Sequence, residues 1–90
     1  MKLAAIPAFH TQNMGAELDL RQLRYFVAIV ESGSFSKAAA VLNVAQPALS
    51  LHVRNMEADL GTQLLFRSPH GVLPTEAGDI LLRNARIIID

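Results

Sequence analysis

Gln46, Ser50 and Arg54 follow one another at intervals of four residues, and Pro47 stands beside the first of them. Side chains at such intervals share one side of an α-helix. The glutamine amide and the serine hydroxyl both donate and accept hydrogen bonds, and the arginine guanidinium donates to anions. A helix that turns these groups toward solvent could therefore pair with the base edges and phosphate oxygens of a nucleic acid.

The other side of the same segment is apolar, which indicates the element that must position these groups. Its hydrophobic residues recur at intervals of four, three and four: Leu49, Val53, Met56 and Leu60. This period predicts a helix that packs on a core. A shorter helix before it is predicted to end in a tight turn at Asn43 and Val44, since asparagine tolerates positive φ. Two helices around such a turn are typical of a helix-turn-helix, whose second helix reads DNA.

The segment before this pair predicts another helix. Asp19 can cap it, with Gln22 three residues later completing a capping box, and Gly33 can end it. Ser34 can then cap the next helix. We expect the buried stripe of the first helix to consist of Leu20, Leu23, Phe26 or Val27, and Val30.

The segment after the pair predicts a hairpin and a last helix. Gly61 can end the third helix, and two short extended runs flank a turn at residues 68–71, which contains proline and glycine. Thr75 can cap a helix that begins at Glu76. This order predicts a mainly α fold, a winged helix-turn-helix over residues 18–75 with a three-helix core and a small β-hairpin wing. A long helix follows over residues 76–90.

The composition is that of one small domain. The chain has 90 residues, of which 51% are hydrophobic. It has no cysteine, which excludes disulfides and thiolate metal sites and fits a cytoplasmic location. No apolar run approaches the roughly 18 residues of a membrane span. Residues 1–17 lack a sustained period and are expected to form a mobile arm, either an extended native start or vector-derived, and Met14 would serve equally as an initiator.

The net charge is zero, which by itself counts against a nucleic-acid partner. The charges are unevenly distributed, however, because residues 32–56 and residues 60–75 contain no acid. The basic and titratable residues of these two windows are Lys37, His52, Arg54, Arg67 and His70. Since the windows bracket the proposed reading helix, we expect a locally positive face on a neutral chain.

Three motifs stand at defined separations, FxxxxESGSFSxAA from Phe26, AQPALS from Ala45 and PTEAG from Pro74. With them, residues 19–90 resemble the N-terminal DNA-binding domain of the LysR-type transcriptional regulators. The resemblance implies a bacterial regulator that binds double-stranded operator or promoter DNA, and no cofactor is expected. Regulators of this type carry a further C-terminal domain that binds a small-molecule effector. The chain is therefore expected to be a fragment, or a designed piece, of a longer protein.

The resemblance implies DNA contacts at Gln46, Pro47 and Ser50, at the start of the recognition helix. A glutamine can pair bidentately with adenine, and a serine can donate to a base or a phosphate. Ordinary helix-start chemistry is the alternative for Gln46 and Ser50. Pro47 fixes the helix entry in either case, and its ring can also touch a thymine methyl group. Arg54, one turn beyond Ser50, can reach a phosphate or remain solvated.

The start of the second helix offers a further set of phosphate ligands. Ser34, Ser36 and Lys37 can hold a backbone phosphate through hydroxyl and N–H groups. Plain helix capping is the alternative, and the two roles are compatible.

In the hairpin, Arg67 and His70 match wing positions that lie over the minor groove or the backbone in the family. Many relatives carry arginine at the position of His70 and often a basic residue at that of Leu51. Both departures predict weaker phosphate contact, or a pH-sensitive contact at His70.

The last helix shows more apolar surface than a thin domain can cover. In LysR-type proteins the corresponding helix pairs with its twin. The resemblance therefore implies a homodimer, with residues 76–90 as the start of a linker and dimerisation helix. The expected contact residues are Ala77, Ile80, Leu81, Asn84 and Ile88. Packing against its own domain alone is the alternative.

Other function classes have less support in the sequence. His10, His52 and His70 fall in the arm, a helix and the wing, so no metal site is expected. No nucleophile–base pair and no set of convergent carboxylates indicates an enzyme. The remaining alternative is a protein-interaction module that reuses this fold and dimerises without binding DNA. The zero net charge and Leu51 favour that alternative.

Overall fold

The computed structural model describes residues 20–89. Its elements are α1 (Leu20–Ser32), α2 (Phe35–Leu42), α3 (Gln46–Leu60), β1 (Leu65–Ser68), β2 (Gly71–Pro74) and α4 (Glu76–Ile89). This is the predicted order, so the mainly α winged helix-turn-helix fold is confirmed. The expected mobile arm at residues 1–17 and the Asp19 cap lie outside the described residues.

The helix ends follow from local sequence. Ser34 Oγ accepts a hydrogen bond from the backbone N–H of Lys37 at 3.0 Å, as predicted for an N-cap. Asn43 adopts the left-handed conformation with φ 58°, and the N–H of Val44 donates to the carbonyl of Ala39 at 3.0 Å. These bonds close α2 and turn the chain directly into α3, which sets the orientation of α3 relative to α2.

The core lies between α3 and the elements that pack around it. The four predicted apolar residues of α3 are all buried, none more than 6% exposed: Leu49, Val53, Met56 and Leu60. Leu64 and Leu65, on the approach to the hairpin, and Leu81 of α4 join the same cluster. The apolar side of α3 is therefore buried in the core, and only its other side is available to a ligand.

The buried face of α1 differs in part from the prediction. Leu23 and Phe26 lie in the core as expected, but Ile29 is fully buried, whereas Leu20 is 45% exposed and Val30 is only partly buried. A helical period allows neighbouring stripes. The packing of α1 against α2 and α4 selects the stripe that contains Ile29. The predicted stripe was therefore wrong at Leu20 and lacked Ile29, whereas Val30 packs at the margin of the core.

The hairpin is seated on the turn between α1 and α2. Strands β1 and β2 pair antiparallel, with Ser68 opposite Gly71. The N–H of Val72 donates to the carbonyl of Gly33 at 3.0 Å, and a Cβ at Gly71 would collide with the same oxygen. The close approach fixes the turn end of the hairpin against the connection between α1 and α2.

The start of α4 is tied to the loop before the hairpin. Thr75 Oγ1 accepts from the N–H of Gly78 at 3.0 Å, the predicted cap, and donates to the carbonyl of Gln63 at 2.7 Å. The N–H of Thr75 donates to the carbonyl of Leu64 at 3.0 Å. A Cβ on Gly78 would collide with that Leu64 oxygen, so α4 crosses the loop at a distance that only glycine permits.

We expect Gly78→Ala to lower the free energy of unfolding by roughly 1–3 kcal/mol, because the added methyl group would push α4 away from Leu64. Helix propensity alone has the opposite sign and would stabilise the variant by about 1 kcal/mol. Urea denaturation followed by circular dichroism measures the change. Arg83→Ala, at an exposed position of the same helix, is the control and should stay within about 0.5 kcal/mol of the parent. A more stable Gly78→Ala protein would contradict the close crossing.

Candidate nucleic-acid interface

The N-terminal end of α3 projects from the domain. Gln46 and Pro47 are exposed, whereas Leu49 is fully buried. Ala45 precedes the helix without a side-chain cap, and Pro47 lies in the first turn, where its missing N–H needs no partner. The predicted reading end of the helix is therefore open, with its polar side chains on the outside.

Arg67 of β1 lies against α3 instead of extending into solvent. Its Nη1 donates to Ser50 Oγ at 3.1 Å, and its guanidinium stands 4.7 Å from the centroid of the Phe35 ring. Its Nη2 is 3.8 Å from Glu57 Oε1. The side chain is still 31% exposed. Arg67 thus connects α2, α3 and the hairpin while part of its charge faces outward.

Glu57 is the residue of this site that sequence reasoning missed. Its Oε2 accepts from the backbone N–H groups of Leu64 at 2.8 Å and Leu65 at 3.3 Å, two fully buried residues. The carboxylate thereby satisfies amides that the hairpin and the helices leave unpaired. In the sequence, Glu57 is one acid in a group near the end of α3, and nothing local marks it as a bond between helix and wing.

An open groove runs from the start of α2 to the hairpin turn. It is lined by several of the predicted contact residues: Ser34, Ser36, Lys37, Gln46, Arg67 and His70. None of its lining residues is acidic. Ser36 Oγ lies 3.5 Å from Gln46 Oε1, which links α2 to the end of α3. The groove therefore combines polar groups with a locally positive charge, as the distribution of acids along the sequence predicts.

The remaining predicted contact residues lie along α3 beside the groove. Arg54 is exposed and Ser50 is partly buried beneath Arg67. Leu51 is 57% exposed, so the outer side of α3 carries an apolar residue among polar ones. The His52 ring makes an edge-to-face contact with Tyr25 of α1, with centroids 5.2 Å apart, and is partly buried.

The predicted dimer residues of α4 differ in burial. Leu81 is 1% exposed and packs in the core of its own domain, so it has no surface left for a second chain. For this residue the alternative of packing within the domain holds. The other predicted residues keep accessible surface: Ala77, Ile80, Asn84 and Ile88. Ile88 is 56% exposed and its neighbour Ile87 is 77% exposed.

Two other features bear on the function classes weighed above. Within residues 20–89, no group of three or more His, Cys, Asp or Glu side chains is arranged to hold a metal ion. His10 lies outside that part of the chain. None of the helices in the described range has the length and apolarity that crossing a bilayer requires.

Comparison with known proteins identifies the family. The family model described as the bacterial regulatory helix-turn-helix protein, lysR family, matches residues 20–79. This chain belongs to the LysR family. The nitrogen assimilation regulatory protein nac of Klebsiella aerogenes is 53% identical to it over 72 residues. The HTH-type transcriptional regulator XapR of Escherichia coli (strain K12) is 46% identical over 71 residues.

XapR is a transcriptional regulator by name and nac a regulatory protein of nitrogen assimilation, and both relatives are much longer than this chain. The alignments cover 80% and 79% of this chain but 24% of each relative. The chain thus spans about a quarter of the length of the curated relatives that it matches.

Solved structures show the same LysR-family fold. The crystal structure of the CbnR_DBD–DNA complex has a TM-score of 0.77 and 43% identity, and the match covers 80% of this chain and 83% of that one. The BenM_DBD/benA site 1 DNA complex has a TM-score of 0.76 and 46% identity, with coverage of 80% and 84%. The predicted resemblance to the LysR-type DNA-binding domain is confirmed.

We expect Glu57→Ala to lower the free energy of unfolding by roughly 2–4 kcal/mol, because the buried amides of Leu64 and Leu65 lose their acceptor. Urea denaturation measures this loss. Asp59→Ala removes an acid from the same helix and is the control, with an expected change within about 0.5 kcal/mol. Equal effects of the two substitutions would show that the contacts of Glu57 with the loop contribute nothing specific.

Proposed function

We propose that this LysR-family chain binds double-stranded DNA sequence-specifically and controls transcription in the bacterial cytoplasm. In the proposed complex α3 enters the major groove, and the hairpin lies over the minor groove or the phosphate backbone. One observation carries the proposal. The N-terminal end of α3 is exposed and polar, and it lies beside a groove that no acidic residue lines. The relatives CbnR and BenM, whose DNA-binding domains have been solved as complexes with DNA, support it.

The proposed contacts separate into two kinds, because phosphate contacts fix position and base contacts carry sequence information. Phosphate contacts are assigned to the residues at the start of α2, on the outer side of α3 and in the hairpin: Ser34, Ser36, Lys37, Arg54, Arg67 and His70. Base contacts are assigned to the first turns of α3: Gln46, Pro47 and Ser50. The net charge of zero is compatible with this division, since the groove itself contains cations and no acid.

The proposed form on DNA is a two-fold homodimer joined through α4. One side of α4 is held in the core by Leu81, Leu82 and Ala85, so the helix has a fixed orientation relative to α3. The accessible margin of this face offers the proposed contact residues: Ala77, Ile80, Asn84 and Ile88. A dimer built this way would present two α3 helices to one face of the duplex.

Gln46→Ala is expected to cost roughly 1–3 kcal/mol on a specific duplex and little on random DNA, because the amide is assigned to a base edge. The specific duplex is obtained by selection from a random pool, and fluorescence anisotropy gives both affinities. The matched control is Asn55→Ala. This substitution also removes an exposed amide from α3, but on the side of the helix opposite Gln46. Equal losses on both duplexes would show that Gln46 does not read sequence.

Arg67→Ala is expected to weaken binding to every duplex and to reduce the slope of log affinity against log salt by about one, because one phosphate contact is lost. Arg67→Lys retains the charge and should retain the slope. An unchanged slope for Arg67→Ala would mean that the guanidinium is neutralised within the protein by Glu57 and does not contact a phosphate.

A protein-interaction module without DNA affinity is the second candidate function. The exposed Leu51 on the outer side of α3 and the zero net charge favour it. A mobility shift with random duplex at low salt separates the two, since a DNA-binding domain shows nonspecific affinity there. A shifted duplex band supports DNA binding, and an unshifted band supports the protein-interaction module.

A further inference from the structure

The contact between Arg67 and Ser50 fixes which way the serine hydroxyl can point. The guanidinium has only N–H donors, so in the 3.1 Å contact Ser50 Oγ must be the acceptor. The hydroxyl hydrogen therefore points away from Arg67. Within residues 20–89, no hydrogen bond given by the Ser50 hydroxyl is found, so its donor is available to a ligand.

Arg67 is held in this position from three sides. The Phe35 ring lies under the guanidinium, Glu57 stands 3.8 Å from Nη2, and β1 carries the backbone. Glu57 is itself fixed by the amides of Leu64 and Leu65. Because these contacts come from α2, α3 and the loop before the wing, the arginine is preorganised to donate to Ser50.

Gln46, at the N-terminal end of α3, also turns its acceptor toward the protein and its donors outward. Its Oε1 lies 3.5 Å from Ser36 Oγ, on the side of α2, which leaves the amide N–H groups of Gln46 for the outside. This bond is long, so it constrains Gln46 less than the Arg67 contact constrains Ser50. Each side chain nevertheless presents an N–H or O–H donor to a ligand that approaches α3.

We propose that Ser50 donates its hydroxyl hydrogen to an acceptor on DNA, with Arg67 as the positioning residue that imposes this direction. The inference rests on the proposed function and deepens it by specifying the chemistry of the target atom. In the major groove the acceptors are purine N7, guanine O6 and thymine O4, and phosphate oxygens are acceptors as well. The amino groups of adenine and cytosine are donors and cannot receive this hydrogen.

The test uses the duplex that the protein itself selects from a random pool. Single positions are replaced by analogues that lack one acceptor, namely 7-deazapurines, 2-aminopurine for guanine O6 and 5-methyl-2-pyrimidinone for thymine O4. A second set lacks one donor, with purine in place of adenine and 2-pyrimidinone in place of cytosine. Methylphosphonates remove single phosphate charges. Anisotropy gives the affinity of the parent and of Ser50→Ala for each duplex.

We expect one acceptor-lacking duplex to weaken the parent about three- to tenfold and Ser50→Ala hardly at all, because the variant has already lost that hydrogen bond. The same pattern at a methylphosphonate supports the donor role with a phosphate as the source of the acceptor. Coupling at a donor-lacking analogue, or at none of the positions, overturns the inference while the proposed function stands. Failure to bind any duplex overturns the proposed function itself.

A second variant tests the part assigned to Arg67. Arg67→Met keeps the apolar stem over Phe35 but removes every donor, whereas Arg67→Lys keeps an obligate donor. We expect the coupling between Ser50 and its acceptor to fall below about twofold in Arg67→Met and to persist in Arg67→Lys. A merely structural role of Arg67 would lower all affinities and leave the coupling unchanged, and that result would overturn its positioning role.

Discussion

The carboxylate of Glu57 is the contact on which the geometry of this domain depends. It accepts from two backbone amides at the point where the chain leaves the core for the hairpin, and it faces the guanidinium of Arg67. Buried amides need a partner, and here a charged acceptor on α3 supplies it for Leu64 and Leu65. One side chain of the reading helix thus sets where the wing begins. A negative charge near a surface that is proposed to meet phosphate is electrostatically unfavourable, but it fixes the relative position of helix and wing.

Arg67, which faces Glu57, both makes contacts within the domain and remains accessible to a ligand. Its guanidinium is engaged by Ser50, Phe35 and Glu57, yet about a third of the side chain is exposed. A long flexible arginine would lose rotamer entropy on contact with a ligand, whereas one already held in place loses less. The zero net charge of the chain is compatible with a local positive field, because the residues that line the groove include cations and no acid.

The sequence predicts what depends on neighbours along the chain. The stripe of α3, the Ser34 cap, the Asn43 turn and the order of the elements are local patterns, and the structure agrees with them. The stripe of α1 was missed at Ile29 because several stripes satisfy the period and only the packing partners choose between them. Leu81 was assigned to a dimer face for the same reason. The contacts of Arg67 with Ser50, 17 residues away, and of Glu57 with the loop are set by the folded chain and have no local signal.

The peptide group that joins Leu64 to Leu65 connects the two ends of the proposed mechanism. Its N–H, which belongs to Leu65, donates to Glu57 of α3, and its carbonyl, which belongs to Leu64, accepts from the N–H of Thr75 and abuts Gly78 at the start of α4. The reading helix and the proposed dimerisation helix are therefore attached to opposite sides of one rigid planar group. Since core packing around Leu81 holds the rest of α4, rotation of α4 relative to α3 would require breaking these bonds. In a dimer joined through α4, the separation and tilt of the two α3 helices would then be determined within each chain, before any DNA is present.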